Sequence, residues 1–181
     1  MGASYGNAGT IADYAVMPVG SPDVLRNLPS LLFDRNSPLA IRRAALPTLA
    51  PWLLRFARQS LPDAAVRNAQ AIAALVGSAN PSWQEFAAEI GGSDILQHRG
   101  CLYLYETQRA FTAAQADMAQ RRRLGIAVDL VDAATLAGME PGLPAMEGGA
   151  AFFPKAVFLN DPGAMMQRMA TRMAAVGVRH L

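Results

Sequence analysis

The residues able to do chemistry in this chain are few, and most stand alone. His98 and His180 are the only histidines and Cys101 the only cysteine. No His, Cys, Asp and Glu residues cluster at metal-ligand spacing, and a Ser-His-Asp arrangement has little material to draw on. His98, beside Arg99 in a polar stretch, reads as a surface residue. Cys101, in an apolar run with Leu102, reads as a small core hydrophobe. Glu140, before Pro141, reads as a solvated carboxylate at a helix end. What remains is the run Met1-Gly2-Ala3-Ser4-Tyr5-Gly6-Asn7-Ala8-Gly9-Thr10. Its three glycines, two alanines and small polar side chains follow no hydrophobic period. Glycine reaches positive φ and carries no Cβ, so such a loop lets backbone come close to a ligand.

Composition narrows the partners. The chain has 181 residues, 52% hydrophobic and 17% charged, with a net charge of +2. That length admits one medium domain, or a small domain and part of another. Of its sixteen basic residues only Lys155 is a lysine. Arg121-Arg122-Arg123 forms the one run of three, and no basic stripe with interleaved aromatics appears, so nucleic acid is not an expected partner. No stretch approaches the roughly 20 apolar residues of a membrane span, and no basic start leads into a signal-peptide core. The expectation is a cytoplasmic chain, with peripheral attachment at the inner face of a bacterial inner membrane left open.

The elements that position the loop can be read from periodicity and punctuation. Ser21 caps a short helix with Pro22 at its first position. Residues 39–90 read as mostly helical. One segment starts near Pro51 with Trp52, Leu53 and Phe56 inward and Arg55 and Arg58 outward. A second follows Pro62 with Ala65, Ala69, Ile72 and Val76, ending at Gly77. A third opens at Asn80-Pro81-Ser82, where Ser82 and Glu85 fit a capping box. Trp52, Trp83 and Phe86 read as core. Gly100–Glu106 is a strand, with Leu102 and Leu104 on one face and Tyr103 and Tyr105 on the other. Thr107 caps a helix over Phe111, Ala114 and Met118, and the three arginines complement its C-terminal dipole. Residues 128–131 form a strand, Asp132 caps a helix through Leu136, and residues 150–153 form another strand. Asp161-Pro162-Gly163 opens a last helix with an apolar stripe of Met166, Met169, Met173 and Val176. Val178–Leu181 begins a strand. The class is α+β.

Several stretches, taken in order, resemble one family. Ala3-Ser4-Tyr5-Gly6-Asn7-Ala8-Gly9 is similar to the ASxxNAG loop of the flavin-dependent D-amino-acid dehydrogenases and the D-amino-acid oxidase-like family. Pro18–Pro22 resembles the family's P-x-x-x-P segment, Pro38–Arg42 its PLxIR segment, and Trp52–Phe56 its W-x-x-x-F helix. Gly100–Tyr105, Leu136–Leu143 and Asp161-Pro162-Gly163 follow in the family's order.

The resemblance implies a two-domain FAD-binding α/β oxidoreductase with a substrate domain of helices and mixed sheet. Residues 1–20 would be a remnant of the FAD-binding domain, 21–156 the substrate domain and 157–181 a return helix and strand of the FAD-binding domain. Ser4, Asn7, Ala8 and Gly9 would lie against the flavin, largely through backbone N–H groups, and Tyr103 and Tyr105 are weaker candidates for the substrate side. Ordinary cross-strand packing is an equal alternative for the two tyrosines. The implied reaction oxidises the CH–NH2 group of an amino acid by hydride transfer to flavin, giving an imino and then a keto acid. A quinone or respiratory chain would be the electron acceptor. The family's G-x-G-x-x-G turn, which seats the pyrophosphate at a helix N-terminus, is absent, as is its C-terminal portion. The expectation is therefore a central fragment that does not hold FAD tightly alone. Two alternatives stand beside it: a non-catalytic helical interaction module, and one subunit of a split flavoenzyme.

Overall fold

A computed structural model describes residues 6–28 and 43–178. In chain order its elements are β1 (Thr10–Ile11), α1 (Pro22–Arg26), α2 (Leu46–Gln59), α3 (Pro62–Val76), α4 (Ala79–Glu89) and β2 (Leu96–Gln97). Then come β3 (Cys101–Tyr105), α5 (Gln108–Arg123), β4 (Asp129–Asp132), α6 (Ala133–Met139), β5 (Gly149–Phe153), β6 (Val157–Leu159) and α7 (Pro162–Ala175). The α+β class holds. Every strand pairing among the described residues is antiparallel. The chain divides into two units, one joining Met1–Ala15 to Val76–Leu181 and the other Val16–Leu75. This division by compactness falls at different positions from the 1–20, 21–156 and 157–181 partition that the resemblance implies.

Helix starts follow the local chemistry. Short polar side chains accept from the N–H groups a first turn leaves unpaired. Ser21 Oγ accepts from Val24 N–H (3.3 Å), Thr107 Oγ1 from Ala110 N–H (3.2 Å), Asp132 Oδ1 from Thr135 N–H (2.8 Å) and Asp161 Oδ1 from Ala164 N–H (2.8 Å). Two starts depart from expectation. Helix α2 begins at Leu46, with Pro47 in its first turn and Pro51 inside it. Proline in the first turn forfeits no bond, and Pro51 strips only one carbonyl of its partner. Helix α4 begins at Ala79, and no side chain caps it; Ser82 N–H instead donates to Ser78 C=O at 3.0 Å. The capping box is not used because the helix starts before Ser82, which lies within the helix.

In the Val16–Leu75 unit, Arg55 and Arg58 are exposed while Leu53 and Phe56 are half-buried. Trp52 is exposed, and its ring stacks on Phe56 at 5.2 Å. The buried Ser60 hydroxyl donates to Phe56 C=O at 2.8 Å. The PLxIR residues lie outside the described residues.

The other unit holds two three-stranded sheets, ordered β1-β6-β2 and β3-β5-β4. In the second, Tyr103 and Leu130 both stand opposite Ala151 of the central strand. Ala150 and Ala151 are fully buried, because a central strand packed on both faces has room only for small side chains there. One apolar core gathers Ile11, Ala87, Leu96, Val157 and Met165 under the first sheet, and a second gathers Tyr14, Met118, Val128, Ala151 and Phe153. Of the stripe that the methionine spacing of α7 suggested, only Met169 packs on the core. Met165 is 1% exposed, whereas Met166 is 43% exposed and Met173 and Val176 are also exposed. Periodicity admits either stripe; packing of Met165 into the core with Ile11, Ala87, Leu96 and Val157 selects the one containing Gly163 and Met165. The strand expected at 178–181 falls almost wholly outside the described residues, and Val178 itself is not in a strand. No helix among the described residues is long and apolar enough to cross a membrane.

Candidate functional site

The glycine loop is shaped by its own side chains. Asn7 Oδ1 accepts from Gly9 N–H at 2.9 Å, a local turn that asparagine makes readily. Gly9 adopts φ +71°, and its C=O accepts from Leu159 N–H at 2.8 Å. A Cβ at residue 9 would stand 2.5 Å from Leu159 O, so only glycine lets β6 come this close. Gly9 is therefore buried, and Gly6, Asn7 and Ala8 are left exposed at the tip. Both backbone groups of Gly9 are spent inside the chain, whereas Gly6, Asn7 and Ala8 stand open to solvent. Ser4 lies outside the described residues.

Beside this tip runs an open groove of about 490 Å³. Its rim is Asn7, Gly9 and Thr10, and its walls include Ile11, Trp83, Leu159, Met165, Met166 and Met169. Among the described residues no charged side chain lines it. Polarizable thioethers and an indole beside a few polar groups suit a flat, largely apolar group with a polar edge. For FAD the fit is therefore to the ring portion. The sequence has no G-x-G-x-x-G turn for the pyrophosphate, and the groove offers it no cation among the described residues.

Tyr103 and Tyr105 stand elsewhere, on β3 against the second core. The Tyr103 ring lies 4.9 Å from Phe153 and 5.9 Å from Tyr14, and Tyr105 lies 6.0 Å from Phe111. Burial pushes both phenols above their ordinary value. Neither lines the groove beside the loop. His98 and Glu140 are exposed and Cys101 is half-buried. Among the described residues no three His, Cys, Asp or Glu residues gather in a way that could hold a metal.

Two long-range contacts hold the segment that leaves the loop. Asp13 and Tyr14 follow β1, and both are held from a distance. Asn80 Nδ2 donates to Asp13 Oδ2 at 2.7 Å and to Lys155 C=O at 2.8 Å. Arg121 Nη1 donates to Tyr14 C=O at 2.6 Å. Burial raises the Asp13 pKa, partly offset by bonds from nearby backbone and by Lys155, and burial also raises Tyr14. Asn80 had read as a helix start and Arg121 as a helix-end cation. Arg121 does lie in the last turn of α5, whereas α4 starts one residue before Asn80, and nothing local signals either long-range bond.

Comparison with known proteins follows the same line. Residues 1–181 match the family model described as FAD dependent oxidoreductase. The chain is 28% identical to a D-amino-acid oxidase of Bradyrhizobium diazoefficiens over 98% of its length and 42% of that protein. It is 31% identical to a D-amino acid dehydrogenase of Phenylobacterium zucineum over 77% of its length and 33% of that protein. A D-amino acid dehydrogenase of Xylella fastidiosa is 26% identical over 97% of the chain and 41% of that protein. The chain thus spans well under half the length of these relatives. No solved structure matches it.

Proposed function

The chain belongs to the FAD dependent oxidoreductase family, and from that premise we propose that it is the central part of a flavoenzyme oxidising the CH–NH2 group of D-amino acids. The observation that carries the reading is the exposed Asn7-Ala8 tip, held by Gly9 beside an uncharged groove of thioether and indole. The relatives' names supply the substrate class. Family membership supports this reading over a non-catalytic helical module.

In this reading Asn7 and Ala8, with Ser4 by its place in the motif, hold the polar edge of the flavin ring. Gly9 keeps the loop pinned to β6. Trp83, Met165 and Met169 exclude water from the ring's apolar part. FAD, when bound, supplies the two-electron acceptor chemistry. Tyr103 and Tyr105 are proposed for the substrate side of β3, and residues 21–156 for the substrate domain between the two flavin-domain segments, 1–20 and 157–181. Electrons leave to a quinone or a respiratory chain, from a protein on the cytoplasmic side of the membrane.

The test co-expresses residues 1–181 with the parts of the Bradyrhizobium relative that the chain does not span, purifies the complex with FAD, and adds D- and L-amino acids without oxygen. Bleaching of the flavin's visible absorbance by D-amino acids is expected. A complex that holds FAD yet is bleached by none of them, while chemical reductant still bleaches it, refutes the assignment. The 181-residue chain alone is expected to leave the free-flavin spectrum unshifted.

A further inference from the structure

Two buried polar side chains grip the segment leaving the glycine loop, from positions 67 and 107 residues away. Asn80 is 7% exposed and Arg121 8% exposed. Buried polar groups of this kind are costly to desolvate, and burying a charge is costlier still unless it is paired. The Arg121 guanidinium is paired on several sides. Its Nε donates to Asp117 Oδ2 at 3.3 Å, and its central carbon lies 6.0 and 5.9 Å from the ring centroids of Tyr103 and Phe153. All this places one N–H on the Tyr14 carbonyl. Asn80 is set the same way, with both bonds made through Nδ2 while its Oδ1 is buried without a partner among the described residues. A side chain that leaves its own acceptor orphaned is oriented by the groups it holds, Asp13 and the Lys155 carbonyl. From Asp13-Tyr14 the constraint passes back through β1, paired to β6, to Gly9 and thence to Asn7.

We propose that Asn80 and Arg121 are positioning residues for the glycine loop, fixing its outgoing end so that Asn7 and Ala8 meet the flavin in one conformation. The inference rests on the proposed function for the flavin contact, but its first readout does not. Amide hydrogen exchange of residues 1–181 is followed by NMR in the wild type and in Asn80→Leu, Arg121→Met, Arg121→Lys and the control Arg168→Met, which loses an exposed pair with Asp94. Exchange at the Gly9 and Leu159 amides rises on the order of tenfold, one hydrogen bond's worth, in Asn80→Leu and Arg121→Met. It rises less in Arg121→Lys, and the amides of β3 and α6 stay at the wild-type rate, as do all of these in Arg168→Met. Arg121→Lys keeps the charge and stands in if Arg121→Met does not fold. Unchanged exchange at Gly9 and Leu159, or a uniform rise across the unit, overturns the positioning role. The second readout is the flavin absorbance of the complemented complex. A spectrum altered in Arg121→Met and partly restored in Arg121→Lys supports the proposal. Loop amides that loosen beneath an unmoved spectrum refute the flavin contact while upholding the mechanical link.

Discussion

Replacing Gly9 by alanine tests whether the loop is pinned as described. At φ +71° a non-glycine residue costs roughly 1–2 kcal/mol. The new Cβ would also stand 2.5 Å from Leu159 O and 3.1 Å from Leu159 Cβ and Pro162 Cγ. The first of these is backbone within a strand, so relief requires β6 to move, loosening the Leu159 N–H to Gly9 C=O bond by about 1 kcal/mol. Together the loss is about 2–3 kcal/mol, a fall in Tm of about 4–12 °C for a chain of this size. Two other glycines separate strain from collision. Gly125 has φ +85°, but a Cβ there would meet no atom within 4 Å, so Gly125→Ala suffers only the roughly 1–2 kcal/mol of conformation. Gly138 lies inside α6 with nothing within 4 Å, and Gly138→Ala gains about 0.5–1 kcal/mol. Thermal and urea unfolding should therefore rank Gly138→Ala above wild type, then Gly125→Ala, then Gly9→Ala. A Gly9→Ala protein no less stable than Gly125→Ala would show that β6 does not press on the loop, and the pinned tip would have to be abandoned.

Other substitutions probe the scaffold. Met165→Ala should lose about 2–5 kcal/mol and Met166→Ala no more than about 0.5 kcal/mol; equal losses in urea unfolding would reverse the assignment of the inward face of α7. Thr107→Ala should cost about 1 kcal/mol by removing the cap of α5, with Thr107→Ser close to wild type. The pH dependence has two opposed parts. Bonds from Arg168 hold Asp94, and bonds from Thr135 hold Asp132, below the ordinary carboxylate value of 3.8. The unfolded chain binds more protons there, so their stabilisation is present above pH 3.8 and is lost as pH falls through the lower folded values. Asp94→Asn and Asp132→Asn should flatten that acid limb in urea midpoints measured against pH. Asp13 runs the other way: burial raises it above 3.8, so its contribution falls as pH rises from 3.8 through the raised value, and Asp13→Asn should remove that decline.

The sequence by itself determined what is decided within a few residues. Ser21, Thr107, Asp132 and Asp161 announce their helices because a short oxygen-bearing side chain satisfies N–H groups two or three residues on. Strand β3 is legible from alternation, and the glycine loop from composition. The family was legible too, through motifs in order. What the tertiary structure alone decided is which of several locally adequate arrangements survives packing. Helix α7 could have buried Met166 and Met173, but Met165 is the one turned inward, into the core with Ile11, Ala87, Leu96 and Val157. Ser82 could have capped α4, but the helix starts before it at Ala79, and Asn80 in its first turn holds Asp13. Tyr103 and Tyr105 alternate like any two strand residues, and only the rings of Tyr14 and Phe153 beside Tyr103, and of Phe111 beside Tyr105, place them against a core. Arg121 reads as one of three equivalent helix-end cations. Its identity as the group that holds Tyr14 depends on a contact 107 residues away, and a bond of that reach leaves no periodic or local trace because chain folding, not chain order, brings its partners together.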